Sequence, residues 1–288
     1  MTTAVIGATG RVGREIVRGV LGRGDAVTAL VRDPAKARRA FGEPGGLHIR
    51  PTRLDDPRDL TEALDGMSTV FIAMGSIGIE GVLQRVAINA AAGLPSIEQV
   101  TRLSVLNASA DSLGINQRAH HSIDQFAAAT AVPYSTIRPA IFSASLLAAA
   151  GEVRASRTWT GLADSGRMAL IDHRDAAEAG LRVLTDPTLW GAHHDLTGPV
   201  PVSWPEALEL LSAELGEPVT FRVAAERQLL ERLIGAGVPA GRAELLVTRE
   251  WTILAGENDY TTDTFQQITG RPSRPVAEFF HEQRAEFV

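Results

Sequence analysis

Three glycines spaced three apart, Gly7, Gly10 and Gly13, interrupt the stretch "AVIGATGRVGREIV" at residues 4–17, between an apolar run and a helical pattern. Losing a side chain at such regular places needs a chemical reason. Gly-x-x-Gly-x-x-Gly at a strand-to-helix turn forms a phosphate cradle: Gly7 permits the tight turn, Gly10 lets the backbone approach a pyrophosphate, and Gly13 allows the helix to pack closely on the sheet. Thr9, Arg11 and Val12 complete the loop. The helix that starts here offers free N–H groups and the positive end of its dipole to an anion. A dinucleotide is the expected ligand, although a glycine-rich turn without a ligand would share the pattern.

The end of the next apolar run selects the dinucleotide. An acid there bonds the adenosine ribose hydroxyls and favours NAD, whereas an arginine pairs with a 2′-phosphate and favours NADP. The chain reads "LVRDP", Arg32 followed by Asp33. Arg11, inside the glycine loop, is placed to reach the same phosphate, and two guanidiniums match a dianion through bidentate bonds. NADP(H) is the expected cofactor, with Asp33 leaving NAD open.

These residues need elements to position them, and the first half of the chain supplies an alternation. "TAVIG" (3–7), "AVTALV" (26–31), "LHIRP" (47–51), "STVFIA" (68–73), "IEQVTRLS" (97–104) and "YSTIRP" (134–139) read as strands. Residues 11–24, 56–66, 81–93 and 116–131 between them read as helices, several with glycine stops or an Asp-Pro start. The order predicts a doubly wound parallel sheet of the Rossmann type, with a smaller, mostly helical C-terminal lobe. Residues 1–150 form the expected NADP-binding core. Residues 151–288 form a mixed segment, returning partly to that core and building the small lobe. In that segment "RMALIDH" (167–173), "HHDLTG" (193–198) and "PVTFRVA" (218–224) read as strands. Residues 174–186 and 203–216 read as helices, the second capped by Ser203, and 225–236, 239–255 and 275–287 as mostly helical.

Composition narrows the ligand. A chain of 288 residues that is 44% hydrophobic and 22% charged is a globular protein rather than a disordered one. A net charge of −6 argues against a nucleic-acid partner, which needs a basic face. The absence of cysteine removes disulfides, thiolate nucleophiles and Cys-type zinc sites. No signal peptide is evident and no apolar run approaches the ~18 residues of a membrane span, so a cytoplasmic protein with a small-molecule substrate is expected, its oligomeric state open. The histidine pairs 120–121 and 193–194 are adjacent in sequence and point in different directions, so no metal site is expected.

The phrases "VIGATGRVGREIV", "ALVRDPAKA", "LDDPRDLTEALDGMSTVFIAMG", "YSTIRPAIF", "ALIDHRDAAEAGLRVLTDP" and "TGPVPVSWPEALELLSAELG" together resemble the NmrA-like branch of atypical short-chain dehydrogenase/reductases. The resemblance runs over almost the whole chain to the closing "ITGRPSRPVAEFFHE". It implies an NADP-binding Rossmann core and a small lobe, with substrate between them. It places Asp55 at the adenine, and Ala73, Met74 and Gly75 along the ribose. Ser104 falls at the family's Ser/Thr position, and Pro139 and Ile141 close over the nicotinamide. Each has a plainer reading as a helix cap, a strand end or a local hydrogen bond.

One expected pair is missing. Short-chain dehydrogenases use Tyr-x-x-x-Lys, the tyrosine protonating a carbonyl and the lysine lowering its pKa. Here the only lysine is Lys36 and the only tyrosines are Tyr134 and Tyr260. Alignment on the family's helix puts His120 at the lysine position and Asn116 at the tyrosine position, making His120 the candidate ribose ligand and proton donor, with a half-exposed inert histidine as the alternative. The expected activity is an NADPH-dependent reductase passing hydride to an apolar, quinonoid or activated carbonyl acceptor. The rival is an NADP(H)-binding sensor without turnover.

Overall fold

The structure, a computed structural model, describes residues 1–288. The first half folds as β1 (Thr3–Ile6), α1 (Arg11–Gly22), β2 (Val27–Val31), α2 (Pro34–Phe41), β3 (Leu47–Pro51), α3 (Pro57–Leu64), β4 (Thr69–Ile72), α4 (Ile79–Ala92), β5 (Gln99–Leu103), α5 (Ile115–Ala128) and β6 (Tyr134–Pro139). Every expected strand of this half forms. Helix α2 lacks an apolar stripe because only Ala37 on it is buried; its signals are the Asp33 cap and Pro34 at its start.

The seven-stranded sheet has the order β3-β2-β1-β4-β5-β6-β8, with β8 at His193–Leu196. Pairings from β3 across to β6 are parallel. β8 continues in the same sense, since Thr136 N–H donates to Ala192 O at 3.1 Å and Ala140 N–H to Leu196 O at 2.8 Å. The chain runs outward from β1 to β3 and then returns to place β4 against β1. That reversal opens a crevice at the carboxyl ends of β1 and β4.

Both faces of the sheet are covered, as parallel sheets require. Ile6, Val70, Ile72 and Val100 pack with Leu60 of α3, Leu83 and Ile88 of α4, and Ile123 of α5. On the opposite face Phe71 lies against Gly180 of α7 (His173–Thr185), where a Cβ would stand 3.0 Å from the ring. These layers fix β1 and β4, and with them the loops at their carboxyl ends.

Contacts divide the chain into two compact units. One holds Met1–Ser104, Ala119–Arg138 and His173–Asp195; the other holds Val105–Arg118, Pro139–Asp172 and Leu196–Val288. The expected division at residue 150 included a partial return of the second segment to the core, and His173–Asp195 belongs to the first unit. The second unit is mostly helical, with α6 (Ala150–Ser156), α8 (Trp204–Leu215), α9 (Glu226–Gly235), α10 (Ala240–Leu254), α11 (Thr264–Thr269) and α12 (Val276–Glu282) around a two-stranded parallel pair, β7 (Thr158–Gly161) and β9 (Thr220–Val223). Its core joins Trp159, edge-on to Trp204 at 4.6 Å, with Leu208, Leu211, Ile253 and Phe280. Ser203 caps α8 in a full capping box with Glu206.

The strand expected at 167–173 does not form. Its apolar run is buried, which periodicity cannot distinguish from a strand. A tight bond from Leu170 N–H to Met168 O at 3.0 Å bends the backbone, leaving single bridges at Met168 and Ile171. No helix is long and apolar enough to cross a membrane.

Candidate dinucleotide-binding site

The three glycines sit between β1 and α1 and are not equivalent. Gly7 has φ +81°, and a Cβ on it would stand 2.1 Å from the Ala73 carbonyl oxygen. A Cβ on Gly13 would stand 2.3 Å from the Gly7 oxygen, so this glycine closes the helix onto the loop. Gly10 has φ −75°, and its Cβ would meet only the Gly7 oxygen, at 3.2 Å. Gly7 and Gly13 therefore serve the backbone, and Gly10 keeps the space above it clear.

Helix α1 begins without a side-chain cap and without an acid in its first turn, whereas Asp33 and Asp56 cap α2 and α3. The N–H groups of Arg11, Val12 and Gly13 thus have no intrahelical acceptor and belong to the positive end of the helix. This is a fit for a phosphate.

A cavity of about 250 Å³ lies at the crevice. Gly7, Thr9 and Gly10 line it from the loop, Arg32, Asp33 and Lys36 from the end of β2, Ala73, Met74 and Gly75 from the end of β4, and Glu80 and Leu83 from α4. Seven of the residues expected from the sequence meet here: Gly7, Thr9, Gly10, Arg32, Ala73, Met74 and Gly75. Val12 and Gly13 lie buried beneath the loop. Arg11 is exposed at the first position of α1 and is not on the cavity wall.

Asp55 does not line this cavity. It is exposed beside Arg53, 4.0 Å away, and Leu54 supplies the wall instead. Asp33 Oδ1 accepts from Lys36 N–H at 3.0 Å, so this acid caps α2. Lys36 is a cavity residue that the sequence reading leaves out. Its signal is its place four residues after Arg32, in the first turn of a Pro-started helix.

His120 and Ser104 belong to a buried polar network in the same unit. Arg102, fully buried, donates to Asp124 Oδ1 at 2.6 Å, to Ser104 Oγ at 3.1 Å, to Tyr134 Oη at 2.7 Å and to Gln84 Oε1 at 3.0 Å, and its Nη1 lies 2.9 Å from His120 Nδ1. Ser104 donates its hydroxyl proton to Asp124 Oδ2 at 3.0 Å, and Arg138 reaches the same oxygen at 3.1 Å. Burial pushes the Asp124 carboxyl up, but Arg102, Tyr134 and Arg138 more than reverse this and hold it below the usual range. Burial raises the Tyr134 phenol.

His120 is a buried member of this network rather than a half-exposed helical residue. Burial first, then the Arg102 guanidinium, lowers its pKa to about 3. The ring is neutral at neutral pH, and Nδ1 accepts from Arg102, so its one proton sits on Nε2, where it can donate a hydrogen bond but cannot act as an imidazolium acid. Ser104 likewise spends its hydroxyl on Asp124. Pro139 and Ile141 fall in the second unit, where their carbonyls accept from Leu106 N–H at 2.9 Å and Ile171 N–H at 3.0 Å. Gln84 links the network to the cavity, since its Nε2 donates to Gly75 O at 2.6 Å.

A glycine cradle beneath an uncapped helix, set at the switch point of a parallel sheet, defines a dinucleotide-binding α/β protein. Residues 7–187 match the family described as NAD(P)H-binding, and the chain belongs to that family. It is 30% identical to an NAD(P)H azoreductase of Xenophilus azovorans over 294 residues, covering 98% of each chain. It is 26% identical to quinone oxidoreductase 2 of Escherichia coli, with 96% of each chain covered. The solved Escherichia coli NADPH-dependent quinone oxidoreductase, in complex with NADPH, superposes with a TM-score of 0.91 at 24% identity, over 99% of this chain and 100% of that one. The resemblance read from the sequence motifs is borne out at the level of family and fold.

Proposed function

We propose that this chain is an NADPH-dependent reductase that passes hydride to a flat, activated acceptor such as a quinone or an azo dye. The observation that carries this reading is the cavity at the end of β1 and β4, where the Gly10 backbone, Arg32 and Lys36 line one space. A pyrophosphate over Gly10 meets the free N–H groups of α1, and a 2′-phosphate meets the two cationic side chains. The acceptor class is supported by relatives named for azo and quinone reduction.

Bound NADPH would supply a hydride, two electrons with one proton. The chain's own residues bind and orient the dinucleotide; the network around Arg102 holds no acid that protonates at neutral pH. A positioned general acid is typically worth ~10²–10⁴-fold. Without one, turnover favours acceptors whose reduced form is a stabilised anion, which then takes its second proton from water. Quinones meet this condition and simple aliphatic ketones do not.

The neutral, buried His120 also favours a second reading, an NADP(H)-binding sensor without turnover. Nicotinamide absorbance followed with quinones, azo dyes and aliphatic ketones separates the two. Oxidation of NADPH by the first two acceptor classes alone supports the reductase. Tight NADPH binding with no acceptor reduced supports the sensor, and failure to bind NADPH overturns both.

A further inference from the structure

Beyond its basic residues, the cavity carries an apolar wall and a carboxylate that no phosphate explains. Val31, Leu54 and Leu83 line it, the two leucines belonging to the buried cluster beneath. Such a surface suits the flat face of a purine. Glu80 stands in the first turn of α4, three residues before Leu83 and on the same side of the helix. Its Oε2 leans over Gly75, so that a Cβ on that glycine would lie 1.9 Å from it. Glu80 and Gly75 both line the cavity, and no hydrogen bond or ion pair within the protein engages the Glu80 carboxylate.

The neighbouring acids are accounted for. Asp33 caps α2, and Asp55 lies off the wall beside Arg53. A free carboxylate in a site for a polyanion is repulsive unless a donor meets it. A dinucleotide phosphate group offers no such donor at neutral pH; the ribose hydroxyls and the adenine 6-amino group do, and of these the amino group stands at the edge of the ring that would rest on the leucines.

We propose that Glu80 recognises the adenine base, its carboxylate accepting a hydrogen bond from the 6-amino group while the ring lies against Leu54 and Leu83. The inference rests on the reading of this cavity as the NADP(H) site. The bare face of Gly75 is what lets the carboxylate reach into the cavity. Glu80 thus sets base specificity, separately from the phosphate specificity of Arg32 and Lys36.

The test compares binding of NADPH and of its hypoxanthine analogue, in which a 6-oxo group replaces the 6-amino group, to the native protein and to Glu80→Gln, by calorimetry. The native protein is expected to hold NADPH about 10-fold more tightly than the analogue, the worth of one hydrogen bond to a charged acceptor. Glu80→Gln should abolish or reverse that preference, because the amide can donate to the 6-oxo group. Equal affinity of the native protein for both ligands, or an equal change in both on Glu80→Gln, overturns the proposal and leaves the cofactor site standing. Binding of neither ligand by the native protein overturns the cavity assignment itself, and the base-recognition proposal with it.

Discussion

The glycine loop makes a prediction in which fold and ligand come apart. Gly7→Ala forces a side chain onto φ +81° and sets its Cβ 2.1 Å from the Ala73 carbonyl oxygen. Left-handed backbone costs a non-glycine residue about 1–2 kcal/mol, and overpacking against fixed backbone adds about 1–3 kcal/mol. A loss of about 2–5 kcal/mol is therefore expected, with a fall in Tm of about 3–8 °C for a chain of this size. Gly10→Val behaves differently. Its backbone, φ −75° and ψ 172°, is ordinary extended geometry, and its Cβ meets a single atom at 3.2 Å. Stability should stay within about 1 kcal/mol of the native protein. The isopropyl group nevertheless occupies the space where a pyrophosphate must lie. Losing two charge-assisted N–H bonds, about 3 kcal/mol, weakens NADPH about 100-fold or more. Thermal melts and titration calorimetry on the two variants measure both quantities. The reasoning fails if Gly10→Val binds NADPH like the native protein, or if Gly7→Ala melts where Gly10→Val does.

Arg32→Ala should erase most of an NADPH-over-NADH preference of at least about 10-fold, read by calorimetry with both cofactors; native affinities that are already equal would remove the phosphate assignment. Asp124→Ala leaves the buried Arg102 guanidinium without its carboxylate, and should cost about 3–5 kcal/mol in urea unfolding. A cost below about 1 kcal/mol would show that the network is dispensable. His120, with its pKa lowered from 6.5 to about 3 in the folded chain, makes stability fall with acid. Between those values the unfolded chain holds a proton that the folded one does not, so its contribution is complete above pH 6.5. It is lost toward pH 3, at up to about 1.4 kcal/mol per pH unit. Unfolding free energies at pH 7 and pH 5 should differ less in His120→Asn, which keeps an acceptor for Arg102 but does not titrate.

The core of this fold was legible because it is local. Each strand from β1 to β6 is a short apolar run beside glycine, proline or aspartate punctuation, and the loop glycines are spaced by the turn they build. Half of the cavity was legible for the same reason, since Gly7 and Arg32 follow directly on β1 and β2 and Gly10 holds the N-cap position of α1. Lys36 and Glu80 were not. Both sit in the first turns of helices, where a charge ordinarily means solvent, and only the approach of α2 and α4 to the switch point turns them inward. The loop after β3 turns Leu54 onto the cavity wall and leaves Asp55 exposed beside Arg53, a facing that no sequence spacing announces.

The polar network around His120 and Ser104 was harder still, since burial decides its chemistry. Arg102 reads in sequence as a charge in a strand, and nothing local announces that its partners lie 18, 22 and 32 residues away, at His120, Asp124 and Tyr134. Those partners turn helix α5 from a carrier of acid–base groups into a support. Asp124 must stay charged to satisfy Arg102, and burial, with Arg102 beside it, keeps His120 neutral. A protonated His120 would face a guanidinium at 2.9 Å with its own solvation stripped away. Charge can leave this network only at a large cost, so it holds the shape of the β5 end and the Gly75 rim while giving no proton to a substrate. The reductase proposed above, built on this network, would depend on acceptors that stabilise their own negative charge. Under the proposed function, acceptor choice would follow from this buried ion pair, and cofactor choice from Arg32.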